Sequence, residues 1–133
     1  MPKLDWREHE VIECLGVLPE FEEFFTSHSF RGTLGQLQFL ITIWQDESLV
    51  GISLFNESEE FPFFTLHFIV RDRIEFVDDR DFVSLRFHDS VVVTSRFWNE
   101  NDEGHGDLFD KNIFPTNIGF ELFTHPRFEL NVF

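Results

Sequence analysis

The sequence has one cysteine, no tyrosine and few basic residues. A lone Cys14 leaves no partner for an internal disulfide, so a disulfide-stapled scaffold is excluded and a reducing, cytoplasmic location is the expectation. Ten Lys and Arg stand against 25 Asp and Glu, a formal net charge of −15. That balance repels nucleic acid and anionic membranes over most of the surface. No apolar run nears the ~20 residues that span a bilayer. The first fifteen residues carry Asp5, Glu8, Glu10 and Glu13, where a signal peptide has a basic start and an apolar run. No glycine-flanked serine elbow is present, and Gly32, Gly35 and Gly51 form no phosphate-binding loop. Nothing in these patterns names a reaction, and a non-enzymatic role is the leaning.

What the chain does have is phenylalanine: 20 Phe and 3 Trp in 133 residues, with 42% hydrophobic content. Composition of this kind builds a folded core in spite of the charge. The length suits one domain, residues 1–133, with an N-terminal helical segment over 1–20 and a β-rich body over 24–133. So many Phe rings exceed what a small core holds. The remainder is expected as half-buried rims or partner-facing surface.

Leu4, Val11, Ile12, Cys14, Leu15 and Leu18 recur at helical spacing, with Trp6, His9, Glu10 and Glu13 opposite. Asp5 is the expected N-cap, with Glu8 completing a capping box. Gly16 and Pro19 stop the helix. Beyond Phe24 the period falls to two, with runs at Leu37–Ile43, Leu49–Phe55, Phe63–Val70, Ile74–Val77, Val83–His88, Val91–Trp98, Ile118–Phe123 and Arg127–Phe133. About eight short strands after one helix predict a mainly β (α+β) fold. The helix packs on an antiparallel sheet, sandwich or half-barrel. A βαβ design is excluded by the want of helical crossovers.

Three acidic stretches border aromatic rings: Glu8, Glu10 and Glu13 on the helix; Glu57, Glu59 and Glu60 beside Phe61 and Phe63; and Glu100, Asp102 and Glu103 beside Trp98. Only 71–89 is nearly balanced, and within 67–88 His67, Arg86 and His88 fall on the non-Phe faces of predicted strands. They are candidates for an anion-binding pocket, with cross-strand ion pairing as the structural alternative. The loop from Asn99 to Asp110 partly resembles an EF-hand calcium loop. Asn99, Asn101, Glu103, Asp107 and Asp110 stand at ligand positions and Gly104 at the turn. It departs in starting on Asn and ending on Asp rather than Glu, and its flanks are not helices. A solvated hairpin loop is the alternative. No cofactor is expected beyond a weakly held divalent cation there.

Two readings follow. In the first, a non-enzymatic acidic domain masks a basic protein partner, as an inhibitor, an immunity-type protein or a mimic of nucleic-acid charge. Carboxylates steer association and nearby Phe and Trp rings anchor it. In the second, a small-ligand-binding or enzymatic β-domain uses His67, Arg86 and His88. The strand-like end at Phe133 adds a homodimer through an exposed edge or an aromatic patch, or docking of that residue inside its own core.

Overall fold

A computed structural model describes residues 4–21, 27–57, 59–94, 108–115 and 118–133. Among the described residues there are one α-helix, α1 (Glu8–Leu15), and ten strands. These are β1 (Glu20–Phe21), β2 (His28–Leu34), β3 (Leu37–Trp44), β4 (Leu49–Asn56), β5 (Phe64–Val70), β6 (Ile74–Asp78), β7 (Val83–Phe87), β8 (Ser90–Val93), β9 (Phe120–His125) and β10 (Glu129–Val132). They form two antiparallel sheets, β1-β2-β3-β4-β5-β8 and β10-β9-β7-β6. The predicted class is therefore observed, as a sandwich of two open sheets rather than a closed barrel. No helix among the described residues is long and apolar enough to cross a membrane.

Period-two alternation aims one face of each sheet at the other. Phe30, Phe39, Ile41, Ile43, Val50, Ile52, Phe68 and Val70 of the larger sheet meet Ile74, Leu85, Phe87, Phe120 and Leu122 of the smaller. Phe30, Phe68 and Phe87 are wholly buried. Each contributes about 1.5–3 kcal/mol of transfer free energy, an upper value against an extended chain. Phe68 packs edge-on to Phe87, 5.2 Å between centroids, and lies 4.7 Å from Phe120, so the two sheets interlock through aromatic rings.

Strand β2 has no counterpart among the predicted runs. Its inward positions are His28, Phe30, Gly32 and Leu34, a pattern diluted by histidine and glycine. The glycine is a packing requirement: a Cβ at Gly32 would sit 2.6 Å from the Phe39 ring. Helix α1 closes the sandwich with Val11, Cys14 and Leu15, alongside Leu4. It ends as predicted at Gly16, which has φ 74° and donates its N–H to the Ile12 carbonyl.

Its start differs from the expected cap. The N-cap is Arg7, which makes no side-chain cap bond, while Asp5 is drawn into a parallel bridge with Arg73. A tertiary contact has displaced the local capping box. Leu18, expected on the apolar side, is 78% exposed because it lies past the helix end.

The chain passes between the sheets three times, from β8 to β9 and by two short crossings at 71–73 and at 88–89. The two short crossings run side by side. The Arg71 amide donates to the Asp89 carbonyl at 2.9 Å, and the His88 amide to the Arg73 carbonyl at 2.9 Å. Asp89 has φ 57°, a conformation that Asp tolerates better than most residues.

Candidate functional site

The buried group with most polar contacts is Arg71, whose side chain is 1% exposed. Its guanidinium donates to Asp89 Oδ1 at 2.6 and 3.2 Å, and to the carbonyls of Phe114 at 2.6 Å and Leu108 at 3.3 Å. Lys111 Nζ lies 3.0 Å from Asp89 Oδ2. Burial alone would raise the Asp89 pKa, but the bonds from Arg71 and Lys111 outweigh it and hold the carboxyl below its usual value. The same clamp holds 108–115 against the outer face of the larger sheet. There Leu108, Phe109 and Phe114 pack on Trp44, Leu49, Ile69, Val91 and Val93. Arg71 therefore works inside the fold and is not a free cation for a ligand.

The expected pocket does not assemble. His67 lies on β5 of the larger sheet, whereas Arg86 lies on β7 of the smaller sheet and His88 follows it. His67 covers Gly51, where a Cβ would be 3.1 Å from its ring, and tilts toward Trp44. Burial lowers its pKa. Arg86 donates to Glu121 at 2.8 Å, and Ser84 donates to the same carboxylate oxygen at 2.8 Å. His88 Nε2 is 2.8 Å from Glu75, and that hydrogen bond is the main cause of the lowered Glu75 pKa. Period two gave each residue a face within its strand. It could not say that the strands belong to different sheets.

The smaller sheet's outer face therefore carries ion pairs satisfied within the chain. Beside them Phe82 and Phe123 meet edge-on at 6.0 Å and line shallow depressions. Phe133 exchanges two backbone hydrogen bonds with Gly119, both 2.8 Å, and lays its ring over that glycine, 5.4 Å from His88. Phe133 thus docks on its own chain but not inside the core, being 50% exposed, while the outer edge of β10 pairs with no strand among the described residues.

On the helix, Glu13 is exposed and Glu10 lines a depression with Arg7 and Arg73. Glu8 Oε2 is 2.9 Å from His28 Nδ1, though not aligned for a hydrogen bond. His28 is itself buried under Trp6 and Phe21. Glu8 and Glu10 therefore sit close to basic or titratable groups of their own chain. Cys14 donates nothing to reactivity: burial pushes its thiol up to about 11.

The β4–β5 connection is different. Glu57, Glu59 and Glu60 are exposed, and no Lys or Arg occurs from Gly32 to Val70. Phe61, Phe63 and Phe64 are 78%, 55% and 38% exposed. Phe64 is the first residue of β5 and is exposed, whereas Phe68 and Val70 further along the strand are buried. The backbone here is fixed by Phe63 N–H to the Leu54 carbonyl at 2.9 Å and Glu59 N–H to the Asn56 carbonyl at 3.1 Å.

Trp98, Asn99, Glu100, Asn101, Asp102, Glu103 and Asp107 lie outside the described residues. Of the calcium-type loop's candidate ligands only Asp110 is described. Its carboxylate accepts the Asn112 N–H at 2.8 Å, a local turn contact. Among the described residues no group of three or more His, Cys, Asp or Glu is placed to hold a metal ion.

No protein-family model matches the chain, and no curated protein matches it. Among solved structures, its fold is similar to that of a chain from a contact-dependent growth inhibition toxin–immunity protein complex from Klebsiella pneumoniae 342. The TM-score is 0.69 at 10% sequence identity, covering 100% of this chain and 98% of that one. At that identity the likeness establishes the fold.

Proposed function

We propose that this chain is an immunity-type protein, a non-enzymatic acidic domain that binds and masks a basic toxin. The observation that carries this reading is the whole-length fold similarity to a chain of a toxin–immunity protein complex, found for a protein of net charge −15. The complex has two kinds of member, and charge favours the masking one. A chain this acidic is repelled by nucleic acid and anionic membrane, whereas it attracts a partner whose own target is anionic. Long-range attraction of that kind raises association rates and fixes orientation. The proposed compartment is the cytoplasm, where a lone buried thiol stays reduced.

The test begins with the purified protein as bait in a lysate of its native host, eluted by a salt gradient. The recovered partner is then expressed alone and together with this chain. The expected result is growth arrest that co-expression relieves. A partner that is harmless alone, or that stays toxic at equal levels of this chain, overturns the reading.

A further inference from the structure

The immunity reading leaves open which face meets the partner, and three acid-rich regions compete for it. On the helix, Glu10 shares a depression with Arg7 and Arg73 and Glu8 lies 2.9 Å from His28, which leaves Glu13 as its one fully exposed acid. The smaller sheet's outer face holds Arg86–Glu121 and Arg127–Glu129 pairs that already satisfy each other, at 2.8 and 3.1 Å. Only the β4–β5 corner, among the described residues, exposes several large rings with no base nearby in sequence.

We infer that Phe61, Phe63 and Phe64 form the docking patch for a basic protein surface with an apolar recess, and that Glu57, Glu59 and Glu60 select that partner. The inference rests on the immunity reading for the partner's identity, not for its chemistry. Three exposed rings within four residues form a local apolar patch of the kind that marks an interaction site. A ring 78% exposed contributes little to the fold and gains most from being covered. The two backbone hydrogen bonds at Phe63 and Glu59 hold the segment in place before binding, and Pro62 restricts it further. The charge then chooses the occupant. Unneutralised carboxylates around apolar rings complement Lys and Arg around an apolar recess. A second copy of this chain is disfavoured, because it would set three carboxylates against the same three.

The probe is a synthetic nonapeptide of alternating lysine and leucine, titrated into 15N-labelled protein at 20 mM and at 300 mM salt. Amide shifts are expected to concentrate between Leu54 and Leu66 at low salt and to shrink at high salt. Phe61→Ala is expected to weaken binding about tenfold, as an anchor residue does. The triple variant E57Q/E59Q/E60Q is expected to remove most of the salt dependence, and E10Q/E13Q to leave it. Shifts centred on α1 or spread evenly over all acids, or wild-type affinity in Phe61→Ala, overturn the proposal. The rescue assay separates the two readings. If relief of toxicity fails while peptide shifts stay at the corner, the immunity reading alone falls. If rescue holds and the corner is silent, the docking patch alone falls.

Discussion

The two ends of the larger sheet are built from the same materials and used in opposite ways. At the end formed by the β3–β4 turn and the two short crossings, charges and rings are turned inward. Arg71, Asp89 and Lys111 satisfy one another, and Phe109 and Phe114 pack on the sheet. At the β4–β5 end, Glu57, Glu59 and Glu60 are exposed with no base nearby in the sequence, and Phe61 and Phe63 lie open. The difference is partnership within the chain. A ring with a neighbouring segment to cover it becomes core, and a charge with a buried counterion becomes a staple. Without either, the same residues form a surface that a partner can complete.

The sharpest way to break this comparison is to cut the staple. Arg71→Ala leaves Asp89, 12% exposed, without its main donor and frees the carbonyls of Leu108 and Phe114. A loss of about 3 kcal/mol is expected in urea denaturation. A change below about 1 kcal/mol would mean that the clamp is incidental. Leu108→Ala acts on the same layer through packing, and about 2 kcal/mol is expected from its buried site.

Acid titration reads the staple directly. The folded Asp89 pKa lies below its ordinary value, so its contribution is full above the unfolded value of about 3.9 and fades as pH falls through the folded value. Wild-type midpoints are expected to drop more steeply than those of Asp89→Asn below about pH 4. Parallel curves for the two proteins would remove Asp89 from the acid response. At the other end of the sheet, Phe61→Ala is expected to change stability by less than about 0.5 kcal/mol. A larger loss would show that the ring is packing and not a docking anchor.

Much of the fold is legible residue by residue. The spacing of Val11, Cys14 and Leu15 marks the helix, and Gly16 its end. Alternation through Phe39, Ile41 and Ile43 marks a strand. The failures have a common cause. Asp5 left its capping role for a bridge to Arg73, His67 was grouped with Arg86 and His88 across two sheets, and β2 was hidden because Gly32 leaves room for Phe39. Each depends on a residue distant in sequence. The adjacency of acids and rings from Glu57 to Phe63 is legible in the sequence, whereas the exposure of those rings is not.

By itself the sequence determined the strand periodicity, the single helix and the sign of the surface, because alternation, capping glycines and net charge are local or additive properties. Only the tertiary structure decided which sheet each strand joins, that Arg71 is buried, and that Phe68 lies in the core while Phe61 lies outside it. Those outcomes follow from long-range pairing and from which segment covers which face, and no short window of residues contains that information.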